Sequence, residues 1–172
     1  MSETRTGAIT LKGTPFDVQG DRLEVGTAAP DFLLQNSGLE EVSLSSFADK
    51  VCVIATVPSL DTPVCQQETK RFNDEIAGND SIAVLVVSAD LPFAQKRWCG
   101  SEGIDNVTTL SCHRSSGFGE AYGVQIANGP LECCLARAVF VIDTAGILIH
   151  VEYVTEVADQ PDFDAVLGAV TT

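Results

Sequence analysis

Three apolar runs in the chain are almost unbroken: Val51 to Val57, Ile82 to Val87, and Ala138 to Ile142. Runs this short, without polar alternation, fit strands covered on both faces, as in a sheet with helices above and below. Between the first two, Cys65 to Ala77 places Thr69, Phe72 and Ile76 at helical spacing. A shorter helix is predicted from Pro92 to Cys99, with Gly100 suited to its end. Val107 to Leu110 reads as a further strand and Ser115 to Tyr122 as a helix. The final helix runs from about Asp162 to Val170, with Phe163, Val166, Leu167 and Val170 on one side.

Turn chemistry organises the rest. Ile9 and Leu11 share one face, Phe16 and Val18 another, and Lys12-Gly13 lies between them, which predicts a small surface hairpin at the N-terminus. Ala28 to Phe32 is extended, and Ser45 to Asp49 forms a short helical turn after Val42-Ser43-Leu44. Asn128-Gly129 is a hairpin turn signal, and Asp143 to Gly146 turns the chain into a strand from Ile147 to Val154. Strands alternating with helices, then a hairpin and a last helix, argue for an α/β domain with a mixed sheet over residues 1–172. There is no internal repeat, low-complexity tract or linker.

Charge narrows the partners. The 172-residue chain carries a formal net charge of −14, so nucleic acid and anionic membrane surfaces are poor candidates. Acidic pairs such as Glu40-Glu41 read as solvated surface. No apolar run reaches the length of a membrane span. The opening MSETRTGAITLKG has no apolar core after its arginine, which argues against a secretory signal and for a cytoplasmic setting. The six cysteines, Cys52, Cys65, Cys99, Cys112, Cys133 and Cys134, would then stay largely reduced, and any disulfide among them would be transient. No C-x-x-C pair occurs, which argues against structural zinc.

The candidate chemistry lies in PSLDTPVCQQET, Pro58 to Thr69. Asp61 or Thr62 can cap the helix that follows, and Pro63 suits its first turn because its missing N–H costs nothing there. Cys65 then stands among unpaired backbone N–H groups at the positive end of the helix dipole, where an anion is favoured. For cysteine that anion is the thiolate, the nucleophilic form, which a peroxide oxidises to a sulfenic acid. The plainer alternative is a small apolar residue packed beneath the helix. Cys52 reads as core filling, and His150 as a strand residue facing outward. Cys112-His113 lacks other ligands at metal-like spacing. Cys133-Cys134, placed on a regular strand, would point to opposite faces.

Pro58, Thr62 and Cys65 meet the pattern P-x-x-x-T-x-x-C, the active-site signature of the peroxiredoxins. With TKRFN, SADLPFAQKRWCGSEGI, AYGV and LARAVFVID, the chain resembles the thiol peroxidase subfamily, the atypical two-cysteine peroxiredoxins, over nearly its whole length. The resemblance implies a thioredoxin-like fold, with a central mixed sheet flanked by helices. It implies a peroxidatic Cys65, with Thr62 bonding thiolate and peroxide, Arg137 beside the sulfur, and Pro58 shielding it. It implies that Cys99 resolves the sulfenic acid through an intramolecular Cys65–Cys99 disulfide, which thioredoxin reduces. The substrates would be hydrogen peroxide or alkyl hydroperoxides, the assembly a homodimer, and no metal, haem or flavin is implied. Because Cys65 and Cys99 stand at opposed helix termini, local unwinding is expected before they link. Rival readings are a peroxide-sensing relay or holdase-type binding protein using the same residues, a thioredoxin-type reductase suggested by Trp98-Cys99-Gly100, and a metal protein using Cys112, His113, Cys133 and Cys134.

Overall fold

The computed structural model describes residues 2–76 and 78–172. Its centre is a seven-stranded mixed sheet. The three apolar runs become neighbouring strands: β5 (Val51–Thr56), β6 (Ile82–Ser88) and β9 (Ala138–Ile142). β5 and β6 run parallel, as do β6 and β7 (Thr108–Ser111), so the helices between them cross over the sheet. Helix α1 (Pro63–Glu75) makes the first crossover and α2 (Pro92–Glu102) the second. β9 is antiparallel to β5, and β10 (Leu148–Tyr153) closes that edge as a hairpin with β9. β3 (Leu33–Asn36) and β4 (Glu41–Ser43) extend the other edge, and a single 3-10 turn (Leu44–Phe47) follows.

The unbroken runs are buried because both faces of the sheet are covered. Alternate side chains enter two separate cores. Val53, Ala55, Val84, Val86, Val139 and Val141 pack with Phe72 of α1, Trp98 of α2, and Phe163 and Val166 of α4 (Phe163–Val170). Ile54, Leu85, Val87, Phe140 and Ile142 pack on the opposite face with Phe118 and Tyr122, from α3 (Ser116–Ala121) and its C-terminal end. That second face also receives Ile9 and Val18 of the N-terminal hairpin, β1 (Thr4–Leu11) and β2 (Thr14–Gln19). Lys12 and Gly13 both have positive φ, 51° and 80°, as a two-residue hairpin turn of matching twist requires. β8 (Gln125–Ile126) joins the hairpin in a three-stranded sheet, β1-β2-β8. The arrangement is the expected thioredoxin-like one, a central mixed sheet between helices with a hairpin added. Among the described residues, no helix is long and apolar enough to cross a membrane.

Two local features differ from the sequence reading. α2 does not stop at Cys99: Gly100 lies inside it, and Gly103 closes it at φ 66°, with Gly103 and Ile104 N–H groups both donating to the Cys99 carbonyl. A left-handed residue followed by an apolar one that packs back is a common helix end, and Gly103-Ile104 supplies that pair. Asn128-Gly129 does not form a tight hairpin. Asn128 instead exchanges hydrogen bonds with Asp17 of β2, at 2.9 and 3.0 Å, so the loop is tied to the N-terminal hairpin. α1 is described to Glu75, with Ile76 as its cap; Ala77, where the predicted helix ended, lies outside the described residues.

Candidate active site

β5 delivers the chain to the site. Its last residue, Thr56, is fully buried and donates from Oγ1 to the Ala136 carbonyl at 2.7 Å, joining the end of β5 to the segment that carries Arg137. Pro58, also buried, begins the turn into α1. Thr62 holds the cap position with extended backbone, Pro63 follows at the first helical position, and Cys65 sits in the first turn. Thr62 does not cap with its side chain: Oγ1 donates to the Ser59 carbonyl at 3.1 Å. With no side-chain cap in place, the dipole of the first turn stays uncompensated beside Cys65.

Arg137, immediately before β9, meets Cys65 from across the sheet. Its Nη2 donates to the Cys65 sulfur at 3.2 Å. Nη1 donates to Glu68 Oε2, and Nε and Nη2 donate to the Val157 carbonyl at 3.2 and 3.1 Å. All three side chains are buried: Arg137 is 1% exposed, Cys65 and Glu68 0%. Burial opposes the guanidinium charge, but Glu68 and Cys65 outweigh it and hold Arg137 above its ordinary pKa, so it stays a cation. Burial raises the Glu68 carboxyl to about 7, against the pull of Arg137. Among the described residues, Glu68 Oε1 has no hydrogen-bond partner. The pocket thus holds one permanent cation and two acids, Cys65 and Glu68. It is electrically balanced when one of the two is ionised.

Sequence reasoning missed Glu68, although a signal existed. It stands three residues after Cys65, on the inward stripe shared with Thr69 and Phe72, where a carboxylate needs a buried partner. Val157 was out of reach, because it acts through its backbone. Its carbonyl is held in place by the N-terminal hairpin. Val157 N–H donates to the Thr10 carbonyl at 2.8 Å, and Thr10 N–H to the Thr155 carbonyl at 2.8 Å. Between them, the Glu156 carboxylate receives the Thr10 hydroxyl (2.7 Å) and the N–H groups of Lys12, Gly13 and Ala158. Those bonds, the Thr10 hydroxyl first, hold its pKa down at about 2. The hairpin therefore braces the arginine as well as covering the core.

Cys99 is not brought to the sulfur of Cys65. It lies inside α2, half-buried, 4.0 Å from the Thr109 hydroxyl of β7. Burial raises its pKa and Thr109 partly offsets that. It does pack against the same core as Cys65, on the same face of the sheet. Both thiols are free.

The other cysteines lie elsewhere. Burial pushes Cys52 up to about 11 and Cys112 to about 12, and raises Cys134 as well. Such thiols stay protonated and unreactive. Cys133 and Cys134 are not on a regular strand. Cys133, at φ 70°, donates to the Ile126 carbonyl at 3.1 Å while Ile126 donates to the Cys134 carbonyl at 3.0 Å, so two residues face one in a bulge. His113 Nδ1 pairs with the Ser111 hydroxyl at 2.8 Å. His150 is half-buried beside Glu152, rather than facing freely outward. Among the described residues, no three His, Cys, Asp or Glu side chains are grouped closely enough to hold a metal ion.

A buried thiol in the first turn of a crossover helix, with a guanidinium from the neighbouring strand against its sulfur, is an arrangement for thiol redox chemistry on a thioredoxin-like scaffold. The Redoxin family model matches residues 24–167, and the chain belongs to that family. Within it, the chain is similar to thiol peroxidases. It is 50% identical to the thiol peroxidase of Staphylococcus aureus (strain Mu50) over 161 residues, 94% of this chain and 96% of that protein. It is 47% identical to the thiol peroxidase of Bacillus subtilis (strain 168) over 94% of this chain and 95% of the relative. Among solved structures, a peroxiredoxin-like protein from Aquifex aeolicus superposes with a TM-score of 0.90 at 45% identity, covering 99% of this chain and 97% of that one. Thiol peroxidase from Chromobacterium violaceum does so with a TM-score of 0.85 at 26% identity, covering 95% and 94%.

Proposed function

We propose that this protein is a thiol-dependent peroxidase that reduces hydrogen peroxide and alkyl hydroperoxides at Cys65. The observation that carries the reading is the Arg137 Nη2 donor 3.2 Å from the Cys65 sulfur, in the first turn of α1. A permanent cation and the helix dipole both favour the thiolate there. In the first step that thiolate attacks one oxygen of the peroxide. The O–O bond breaks, the sulfur becomes a sulfenic acid, and the other oxygen takes a proton and leaves as water or alcohol. Arg137 stabilises the charge that develops on the leaving oxygen. The Thr62 proton is committed to the Ser59 carbonyl, so its hydroxyl offers lone pairs, suited to accepting a hydrogen bond from the peroxide O–H. Pro58 screens the sulfur from bulk water.

In the second step the Cys99 thiol attacks the sulfenic sulfur, forming the Cys65–Cys99 disulfide and releasing water. Each cysteine lies within a hydrogen-bonded helix, and a disulfide needs Cα atoms within roughly 7 Å. Both segments therefore unwind locally before they link, which also frees Cys99 from the burial that keeps it protonated. A dithiol reductant closes the cycle, and thioredoxin fits that task. The six free thiols suit a reducing compartment, the cytoplasm. A homodimer of single-domain subunits is the assembly expected of such an enzyme. The test is mass spectrometry of peroxide-treated protein in repeated cycles with a thioredoxin system. A Cys65–Cys99 linkage with sustained peroxide consumption is expected. A single oxidation without turnover would favour a peroxide sensor instead, and a linkage between other sulfurs would overturn the site.

A further inference from the structure

The turn that carries Thr62 and the helix that carries Cys99 are fastened to one side chain, Asp90. Its Oδ1 accepts the Ser59 hydroxyl at 2.8 Å. Its Oδ2 accepts the Leu60 backbone N–H at 2.8 Å and the Ser88 hydroxyl at 2.8 Å. Ser59 is in turn the centre of the peroxidatic turn. Its hydroxyl accepts the Asp61 N–H at 3.2 Å, and its carbonyl accepts both the N–H of Thr62 (3.3 Å) and its hydroxyl (3.1 Å). On the other side, Asp90 directly precedes Leu91, the cap residue of α2. Its own carbonyl accepts the Ser111 hydroxyl at 2.5 Å, and the buried Gln95 of α2 donates to the same Ser88 hydroxyl at 3.0 Å. Two of the three carboxylate bonds hold the turn and the third holds the end of β6; a second link, exposed to solvent, runs from Arg97 of α2 to Asp61 Oδ2 at 3.7 Å. Bonds to an ionised carboxylate are stronger than neutral ones, so this is the firmest attachment of an otherwise short and partly exposed turn.

We infer that Asp90 is a positioning residue that clasps the Cys65 turn to the base of the Cys99 helix and so sets how the Cys65 sulfenic acid is partitioned. The inference rests on the proposed roles of Cys65 and Cys99. While the clasp is closed, Cys65 remains in its folded pocket, away from Cys99. A second peroxide can then oxidise the sulfenic acid to a sulfinic acid, losing one oxygen to the sulfur and leaving as water or alcohol. When the clasp opens, the turn unwinds, Cys99 attacks, and the products are the disulfide and water. The strength of the three carboxylate bonds thus decides between two fates of one intermediate.

The experiment measures that ratio. Enzyme reduced at the outset is treated with a graded excess of hydrogen peroxide, and the Cys65 sulfinic acid and the Cys65–Cys99 disulfide are quantified by peptide mass spectrometry. Asp90→Asn weakens all three bonds, and Ser59→Ala removes the bond from its hydroxyl to Asp90 together with the Asp61 N–H bond that the hydroxyl accepts. Both variants are expected to shift the ratio towards disulfide, by about tenfold for Asp90→Asn and about threefold for Ser59→Ala. Unfolded chains also favour the disulfide, so the ratio is read at a temperature where near-UV circular dichroism shows each variant fully folded. An unchanged ratio in Ser59→Ala, with wild-type protein forming both products, overturns the clasp and leaves the peroxidase reading standing. Absence of both products in wild-type protein overturns the peroxidase reading itself, and the clasp with it.

Discussion

Glu68→Gln tests the electrostatics of the pocket by removing one of its two acids at nearly constant volume. Glu68 is 0% exposed, and its carboxyl is raised to about 7 by burial. In the unfolded chain the same group titrates near the ordinary value of about 4.3. Between those two values the folded protein binds a proton that the unfolded chain does not. The associated stability is complete below pH ~4.3 and is lost as the pH rises through ~7. The gap of roughly 2–3 pH units corresponds to a loss on the order of 3 kcal/mol. Urea unfolding at pH 5 and pH 8, with all thiols kept reduced, measures it. Wild-type protein should lose on the order of 3 kcal/mol more than Glu68→Gln over that interval, since the variant has no proton to release. The glutamine can still accept the Arg137 Nη1 bond, so the comparison isolates charge from packing. Equal losses in the two proteins would refute the claim that burial outweighs the arginine at this position. A larger loss in the variant would refute even its sign.

Arg137→Lys keeps a cation but not the fork that reaches Cys65, Glu68 and Val157 together; peroxide reduction should slow by about a hundredfold, read by competition kinetics, and a near-wild-type rate would deny the fork a role. Cys99→Ser should stop after one oxidation, leaving a sulfenic acid on Cys65 that a dimedone-type reagent labels; no label, or continued cycling, would remove Cys99 from the reaction. Gly103→Ala meets no atom within 4 Å, so its cost should be the left-handed backbone alone, about 1 kcal/mol by urea unfolding, and no loss would mean the α2 cap is not under conformational demand.

Much of the architecture was legible because burial leaves a periodic trace. The runs in β5, β6 and β9 announced strands covered on both sides, and Lys12-Gly13 announced a turn that only positive φ can make. The Gly100 and Asn128-Gly129 signals were local cues that lost to longer-range ones. Gly100 sits in a helix whose true end depends on Ile104 packing back. Asn128 serves Asp17, 111 residues away, and lies in a longer loop closed by the antiparallel pairing of Gln125 and Leu135 rather than in a two-residue turn.

The order of residues along α1 was enough to place Cys65 in a first helical turn behind Thr62 and Pro63, because caps and dipoles are properties of adjacent residues. The family resemblance put Arg137 beside the sulfur, and tertiary structure decided how the arginine is held and what else converges there. Arg137 comes from 72 positions later and Glu68 from one turn on, and the Val157 carbonyl that aims the arginine is braced by a hairpin at the far end of the chain. It also decided that Cys99 waits inside α2, and that Asp90 binds the base of that helix to the turn before Cys65. The physical reason is that a buried charge is tolerated only where several distant groups converge on it, and convergence is a property of the packed sheet rather than of any stretch of sequence.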